Sequence, residues 1–173
     1  MKKYVALTLL VLTAVGVVAS HLEVERHDDS YVLNVDGVRF DVLGHANDQL
    51  IRATRRCANV NQQHTTDPTA EAVKTALRAY SLPDSQRLVL RQLSSSGSWF
   101  LAEVEFSDLQ PAVVLLENGE NGFTINNGSV WSGPVDPWVA GPWIRRYLLK
   151  RAPQVPSVLW ACFDPSPRLF GPH

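Results

Sequence analysis

Cysteine is scarce in this chain: Cys57 and Cys162 are the only two among 173 residues. Two cysteines cannot staple a fold together unaided, so stability must come from a buried core, and about 150 residues are enough to build one. Basic residues are missing from the middle of the chain. Between Gln92 and Ile144 there is no lysine or arginine, while Glu103, Glu105, Asp108, Glu117, Glu120 and Asp136 fall there. The positive charge gathers afterwards, in Arg145, Arg146, Lys150, Arg151 and Arg168 against Asp164, and the formal net charge is −1. One local cluster on a near-neutral background is not the basic domain or stripe of a nucleic-acid binder, which excludes that class of partner.

Long hydrophobic runs are also absent. The longest uncharged, mostly apolar stretch runs from Tyr4 to Ala19, short of the roughly 20 residues that span a bilayer. It follows Lys2 and Lys3 and ends in small residues, with Val18 and Ser20, or Val17 and Ala19, at the positions that precede a cut. This is the pattern of an export signal over residues 1–20. The mature chain then begins near Ser20 or His21, residues 21–173 form a single domain, and its location is secreted or periplasmic. Retention of the leader as an anchor is the alternative that its length disfavours. No cysteine lies near the cut to accept a lipid.

In an oxidising compartment the two cysteines are expected to pair. The competing role, Cys57 as a thiol nucleophile with His64 as its base, needs a reduced thiol and a third orienting group that the sequence does not offer. Other catalytic signatures are missing as well. There is no nucleophile elbow, no phosphate-cradling glycine loop and no dinucleotide fingerprint, so no cofactor is expected. His21, His27, His45, His64 and His173 show no paired metal spacing. His27-Asp28-Asp29 would alternate in direction on an extended chain and cannot easily share one ion. A trio of Asp41, His45 and a serine from Ser94 to Ser98 can be drawn, but a serine-rich segment between strands reads first as a turn. Glu103 and Glu105 can likewise be drawn as paired acids, and cross-strand pairing to Arg87 and Arg91 explains them more simply.

What the sequence does contain is alternation and punctuation. In YVLNVDGVRFDV, residues 31–42, Asp36-Gly37 matches a two-residue hairpin turn. It pairs Val35 with Val38, Leu33 with Phe40 and Tyr31 with Val42 on one apolar face, leaving Asn34, Arg39, Val32 and Asp41 on the other. Helical spacing follows, with Asn47 as N-cap, a stripe of Leu50, Ile51, Thr54, Cys57 and Ala58, and Arg52, Arg55 and Arg56 facing away. Asp67 and Pro68 open a second helix whose apolar face is Ala70, Val73, Leu77 and Tyr80, stopped by Pro83. Strands return from Gln86. With Ser94–Ser98 as the loop, Leu93 faces Trp99, Leu90 faces Ala102, Leu88 faces Val104 and Arg87 faces Glu105. Two more strands flank an Asn-Gly turn at Asn118-Gly119 or Asn121-Gly122. The expected class is α+β, an antiparallel meander with an N-terminal hairpin, packed by two or three helices. This order resembles cystatin-like and nuclear-transport-factor-like folds in architecture alone, and the resemblance implies no function.

The stretch SGPVDPWVAGPWIRRYLLKR, residues 132–151, concentrates tryptophan, proline and arginine. Pro142 suits the first position of a helix whose stripe is Trp143, Ile144, Tyr147 and Leu148, with Arg145, Arg146, Lys150 and Arg151 outside it. Trp138, with Trp131 upstream, falls in a proline-stiffened loop outside any stripe. An aromatic on a stiff loop beside arginines is the composition of an interface anchor. The expectation is therefore a non-enzymatic exported binding module, of inhibitor or immunity type, that meets a protein or peptide through Trp138, Arg145, Arg146 and Trp131. A membrane surface fits less well, because a small sheet claims the helix's apolar face. The rival is a small exported hydrolase using a histidine with nearby carboxylates or serines. N-terminal sequencing of the exported protein is expected to start at Ser20 or His21, and an intact Met1 would overturn the leader assignment.

Overall fold

Asp36 and Gly37 adopt positive φ angles of 51° and 87° in the computed structural model, which describes residues 13, 16, 17, 19–27, 30–81 and 87–171. These are the angles of the anticipated hairpin turn. Around it, β2 (Ser30–Val35) and β3 (Val38–Phe40) pair antiparallel, with Val35 opposite Val38 and Leu33 opposite Phe40. A strand not anticipated, β1 (Leu22–His27), pairs with the other edge of β2 and completes a three-stranded sheet of order β1-β2-β3.

Two details of the hairpin differ from expectation. Tyr31 does not pair with Val42, because β3 ends at Phe40 and Val42 opens helix α1 (Val42–Thr54). The cap is Asp41 and not Asn47: its Oδ1 accepts the Gly44 N–H at 2.7 Å, satisfying a donor that the first helical turn leaves open. The faces are also exchanged. Val32 is 2% exposed, whereas Val38 is 56% and Phe40 49% exposed. The more apolar face of this sheet is the uncovered one.

Helix α1 ends at Thr54, so Cys57 lies in the loop beyond it and not on its stripe, and Leu50 is exposed where Gly44 and Asp48 are buried. Helix α2 (Pro68–Tyr80) starts at Pro68 as expected and buries Ala70, Val73 and Leu77, whereas Tyr80, at its last position, is exposed. Pro83 lies outside the described residues.

The larger sheet has the order β4-β5-β6-β7-β8 and is antiparallel throughout. Its members are β4 (Asn61–Gln62), β5 (Leu88–Ser96), β6 (Trp99–Phe106), β7 (Ala112–Gly119) and β8 (Gly122–Ser132). The β5–β6 loop is the two-residue Gly97-Ser98, since Ser96 pairs with Trp99 and Gly97 takes φ of 61°. Ser94–Ser96 are thus strand residues. They sit in the ladder because β4 pairs Gln62 with Ser94 and Asn61 with Ser95 on the other side. The shortened loop resets the register: Leu93 faces Ala102, Leu90 faces Val104 and Leu88 faces Phe106, with an irregularity at Arg91. Arg91, not Arg87, then reaches Glu105, its Nε at 2.6 Å from Oε2. In the next hairpin the tip is Glu120-Asn121, followed by Gly122 at φ of 91°.

Both faces of this sheet are covered. Leu90, Leu93, Ala102, Val104 and Val114 pack on α2, while Leu101, Val113 and Leu115 pack beneath α3 (Ala140–Arg151) and α4 (Ser157–Cys162). Double coverage explains why Ala112–Leu116 is buried without alternation. Val32 of the small sheet joins the second core, and the short α5 (Pro167–Phe170) closes it with Phe170.

Cys57 and Cys162 form a disulfide with their Cα atoms 5.8 Å apart, 105 residues apart in sequence. It fastens the loop after α1 to the end of α4. Replacing both cysteines with alanine is expected to lower stability by about 2–5 kcal/mol, measured as the shift in urea midpoint; an unchanged midpoint would remove the bridge from any role in stability.

Candidate functional site

Arg145 was expected on the outer face of α3, and the structure buries it to 6% exposure. Its Nη2 lies 2.6 Å from Asp48 Oδ1 of α1, and its Nη1 donates to the Phe163 carbonyl at 2.8 Å. Asp48 also accepts from Arg52 Nε at 2.6 Å, and Arg52 and Arg55 both reach Asp164. Two carboxylates and three guanidiniums therefore join α1, α3 and the segment after α4. Glycine makes the approach feasible: a Cβ at Gly141 would lie 2.7 Å from Asp48 Oδ1, and one at Gly44 would lie 1.9 Å from Asp41 Oδ2. Burial opposes ionisation of Asp48, but hydrogen bonds from Arg145 and Arg52, with their charges, outweigh it and hold the carboxyl below the usual range.

Trp138 is buried as well, at 5% exposure. Its ring stacks on Trp143 at 4.5 Å and 4°, an arrangement that fills the helix–loop junction and leaves no projecting anchor. Arg146 lies over Trp143 at 5.7 Å. Trp131 is half-buried, edge-on to Tyr147 at 4.9 Å, with its Nε1 donating to the Gly133 carbonyl. Of the four residues expected to form one surface, Trp138 and Arg145 are therefore interior. Pro142 is the third residue of α3, not its first.

The feature that lies beside Trp138 is a groove of about 920 Å³. One wall is β3 and the start of α1, through Val38, Phe40 and Val42; the other is the loop of Pro137 and Trp138, with Pro165. Asp41 ties the walls together, because its Oδ2 accepts the Val139 N–H at 3.1 Å while its Oδ1 caps α1. Arg39, His45 and Asp136 contribute polar groups to the lining. Arg39 and Asp136 make no ion pair among the described residues. The apolar wall is exposed, the opposite wall is rigidly backed by the Trp138–Trp143 stack, and the polar groups stand between them.

A second, smaller pocket of about 470 Å³ is polar and lined by Arg91, Glu103, Glu105, Ser166 and Arg168. Glu103 is almost fully buried on the sheet and accepts the Ser166 N–H at 3.0 Å. Burial pushes its carboxyl above the usual range, outweighing that hydrogen bond and the charge of Arg91. Glu103 is thus held by the C-terminal segment and does not pair across the sheet with Arg87 or Arg91.

The imagined catalytic trio is not assembled. Asp41 is committed to two backbone amides, Ser94 Oγ donates to Gln62 Oε1 at 3.0 Å, and Ser95 Oγ is 3.3 Å from Gln63 Nε2. His64 meets Asp67 through its backbone N–H. His21 Nδ1 is 2.6 Å from Asp36 Oδ1 at the hairpin turn. Among the described residues no three His, Cys, Asp or Glu side chains converge on a metal position. The His27 side chain, Asp28, Asp29 and His173 lie outside the described residues. No family model, curated protein or solved structure matches the chain.

The two carboxylates have opposite linkage to pH. Asp48, with a lowered folded pKa, stabilises the fold above the ordinary carboxylate range, and that contribution is lost as pH falls through its folded value. Glu103, with a raised folded pKa, favours the fold at low pH and loses that contribution as pH rises through its folded value. Glu103→Gln is therefore expected to raise stability at neutral pH and flatten its decline from acid to neutral, read by urea unfolding across pH. Asp48→Ala strands a buried guanidinium and is expected to cost about 3–5 kcal/mol; a loss under 1 kcal/mol would show that water replaces the carboxylate.

Proposed function

We propose that this protein is an exported binding module whose partner, a protein or peptide, occupies the groove between β3 and the Pro137–Trp138 loop. The observation that carries the reading is the exposed apolar wall: Val38, Phe40 and Val42 stand about half exposed along a single channel. Large apolar side chains left open side by side in a concavity are characteristic of interaction sites, and scattered single ones are not. The leader-like residues 1–20 and the disulfide support an exported setting, secreted or periplasmic. The binding surface differs from the Trp131–Trp138–Arg145–Arg146 patch. Trp138 keeps a part in it as backing for one wall, and Arg145 acts from beneath by fixing α1 against α3.

The test is affinity capture from envelope and secretome extracts with the exported protein, alongside Phe40→Glu and Arg146→Ala versions of matched folding by circular dichroism. A partner held by the natural protein and by Arg146→Ala, but reduced at least about tenfold by Phe40→Glu, is the expected outcome. Equal recovery with Phe40→Glu would place binding elsewhere. His45 lines the same groove, which keeps the exported-hydrolase reading specific. Turnover of an ester, peptidoglycan or glycosidic substrate that disappears in folded His45→Ala would replace the binding reading.

A further inference from the structure

The groove wall formed by β3 is also the edge of a sheet. In a two-residue hairpin the residues flanking the turn exchange both backbone hydrogen bonds, and the pattern alternates from there. Val35 and Val38 flank the turn, and Leu33 and Phe40 are the next pair but one. Val38 and Phe40 therefore direct their N–H and C=O toward β2. Arg39 directs its N–H and C=O the other way, toward the groove. Among the described residues no backbone hydrogen bond joins Arg39 to the segment from Asp136 to Val139, where the Val139 N–H goes instead to Asp41.

We propose that an extended peptide segment docks here by adding a fourth strand to the β3 edge, bonding the Arg39 backbone while its side chains alternate between two environments. This rests on reading the groove as the partner site, and it specifies the chemistry of the partner. On one face the added strand continues the open apolar surface of Val38 and Phe40, which are exposed together with Leu22, Val24 and Tyr31 on the same side of the small sheet. On the other face it meets Arg39, with Asp136 across the groove. The complementary segment is therefore apolar at every second position, with an acidic side chain opposite Arg39 and a basic one near Asp136. Charge also decides against a second copy of the chain as occupant. Two β3 edges paired about a two-fold axis at Arg39 would set one Arg39 against another, and like charges directly opposite destabilise a strand pair. Because β3 has only three residues, the backbone supplies few bonds and the side-chain walls supply the selectivity, as in other modes of strand addition.

Two probes test this with the exported protein: acetyl-VEVTVKV-amide and acetyl-VKVTVEV-amide, which carry the two charge orders. One of them is expected to slow hydrogen exchange of the Arg39 amide at least about tenfold at saturation. Arg39→Pro removes the outward N–H without touching the β2 ladder, and is expected to weaken that probe at least about tenfold, whereas Arg39→Lys retains most of the affinity. The same probe with N-methyl groups on its edge-facing amides tests the bond with the protein unaltered and is expected not to bind. If a probe binds in a Phe40-dependent manner but leaves Arg39 exchange unchanged, or tolerates N-methylation, strand addition is overturned while the groove remains the partner site. If neither probe shows Phe40-dependent binding at millimolar concentration, strand addition is overturned here also, and the capture experiment with Phe40→Glu then decides the groove separately. A concentration-dependent dimer abolished by Arg39→Pro would assign the edge to self-association and overturn the peptide proposal.

Discussion

The contact between Asp48 and Arg145 holds three parts of the chain in one arrangement. It joins α1 to α3 through a nearly water-free ion pair, and the same guanidinium carries the Phe163 carbonyl beyond α4. An isolated buried charge is costly, and its partner must sit within hydrogen-bond range. That requirement fixes the helix spacing more narrowly than apolar contact would. The small residues follow from it, since Gly141 admits the Asp48 carboxylate at a distance no side chain would tolerate. Asp41, about two turns earlier at the cap of α1, adds a second tie from α1 to the residue before α3. The groove walls are thus positioned by carboxylates, and its apolar side chains are free to remain uncovered.

Local chemistry was legible in the sequence where it did not depend on distant neighbours. The Asp36-Gly37 turn, the α2 helix opened by Asp67-Pro68, the antiparallel order of the last strands and the Cys57–Cys162 pairing all follow from short-range rules or from having only one possible partner. The same reasoning failed where burial was decided from outside. Val32 shares a hairpin face with Asn34 and Arg39, and nothing local says that the core of the larger sheet will claim it. Ser94–Ser96 have turn chemistry, yet β4 arrives from 32 residues upstream, where Gln62 meets Ser94, and draws them into a ladder.

Charged residues misled most at the candidate site. An arginine between apolar helix positions is normally solvated, and Arg145 became interior because an acid from α1 lay in wait for it. Gly44 and Gly141 fall ahead of the helix starts expected at Asn47 and Pro142, and lie in the first turns of helices that in fact begin at Val42 and Ala140, where their missing side chains admit the acids. Trp138 lies outside any helix stripe in the sequence, and its stacking partner Trp143, five residues on, turns it inward. The exposed aromatic that lines the groove is Phe40 instead. Its exposure could be recognised only once both faces of the larger sheet were found to be occupied, leaving the small sheet as the one with a bare side.

The disulfide divides the molecule in a way that concerns integrity more than stability. Residues 57–162 form a covalent ring that contains the whole larger sheet, α2, α3 and the Pro137–Trp138 wall, whereas β1–β3 and α1 form a tail outside it. A protease cut within the ring leaves one linked molecule. A cut between Thr54 and Cys57 frees the other wall from the ring, leaving it held without a covalent link by the ion pairs, Asp41 and the packing of Val32. Toward any protease, the two sides of the groove therefore differ in how securely the chain owns them, and the short loop after α1 is where a single cleavage would open the site.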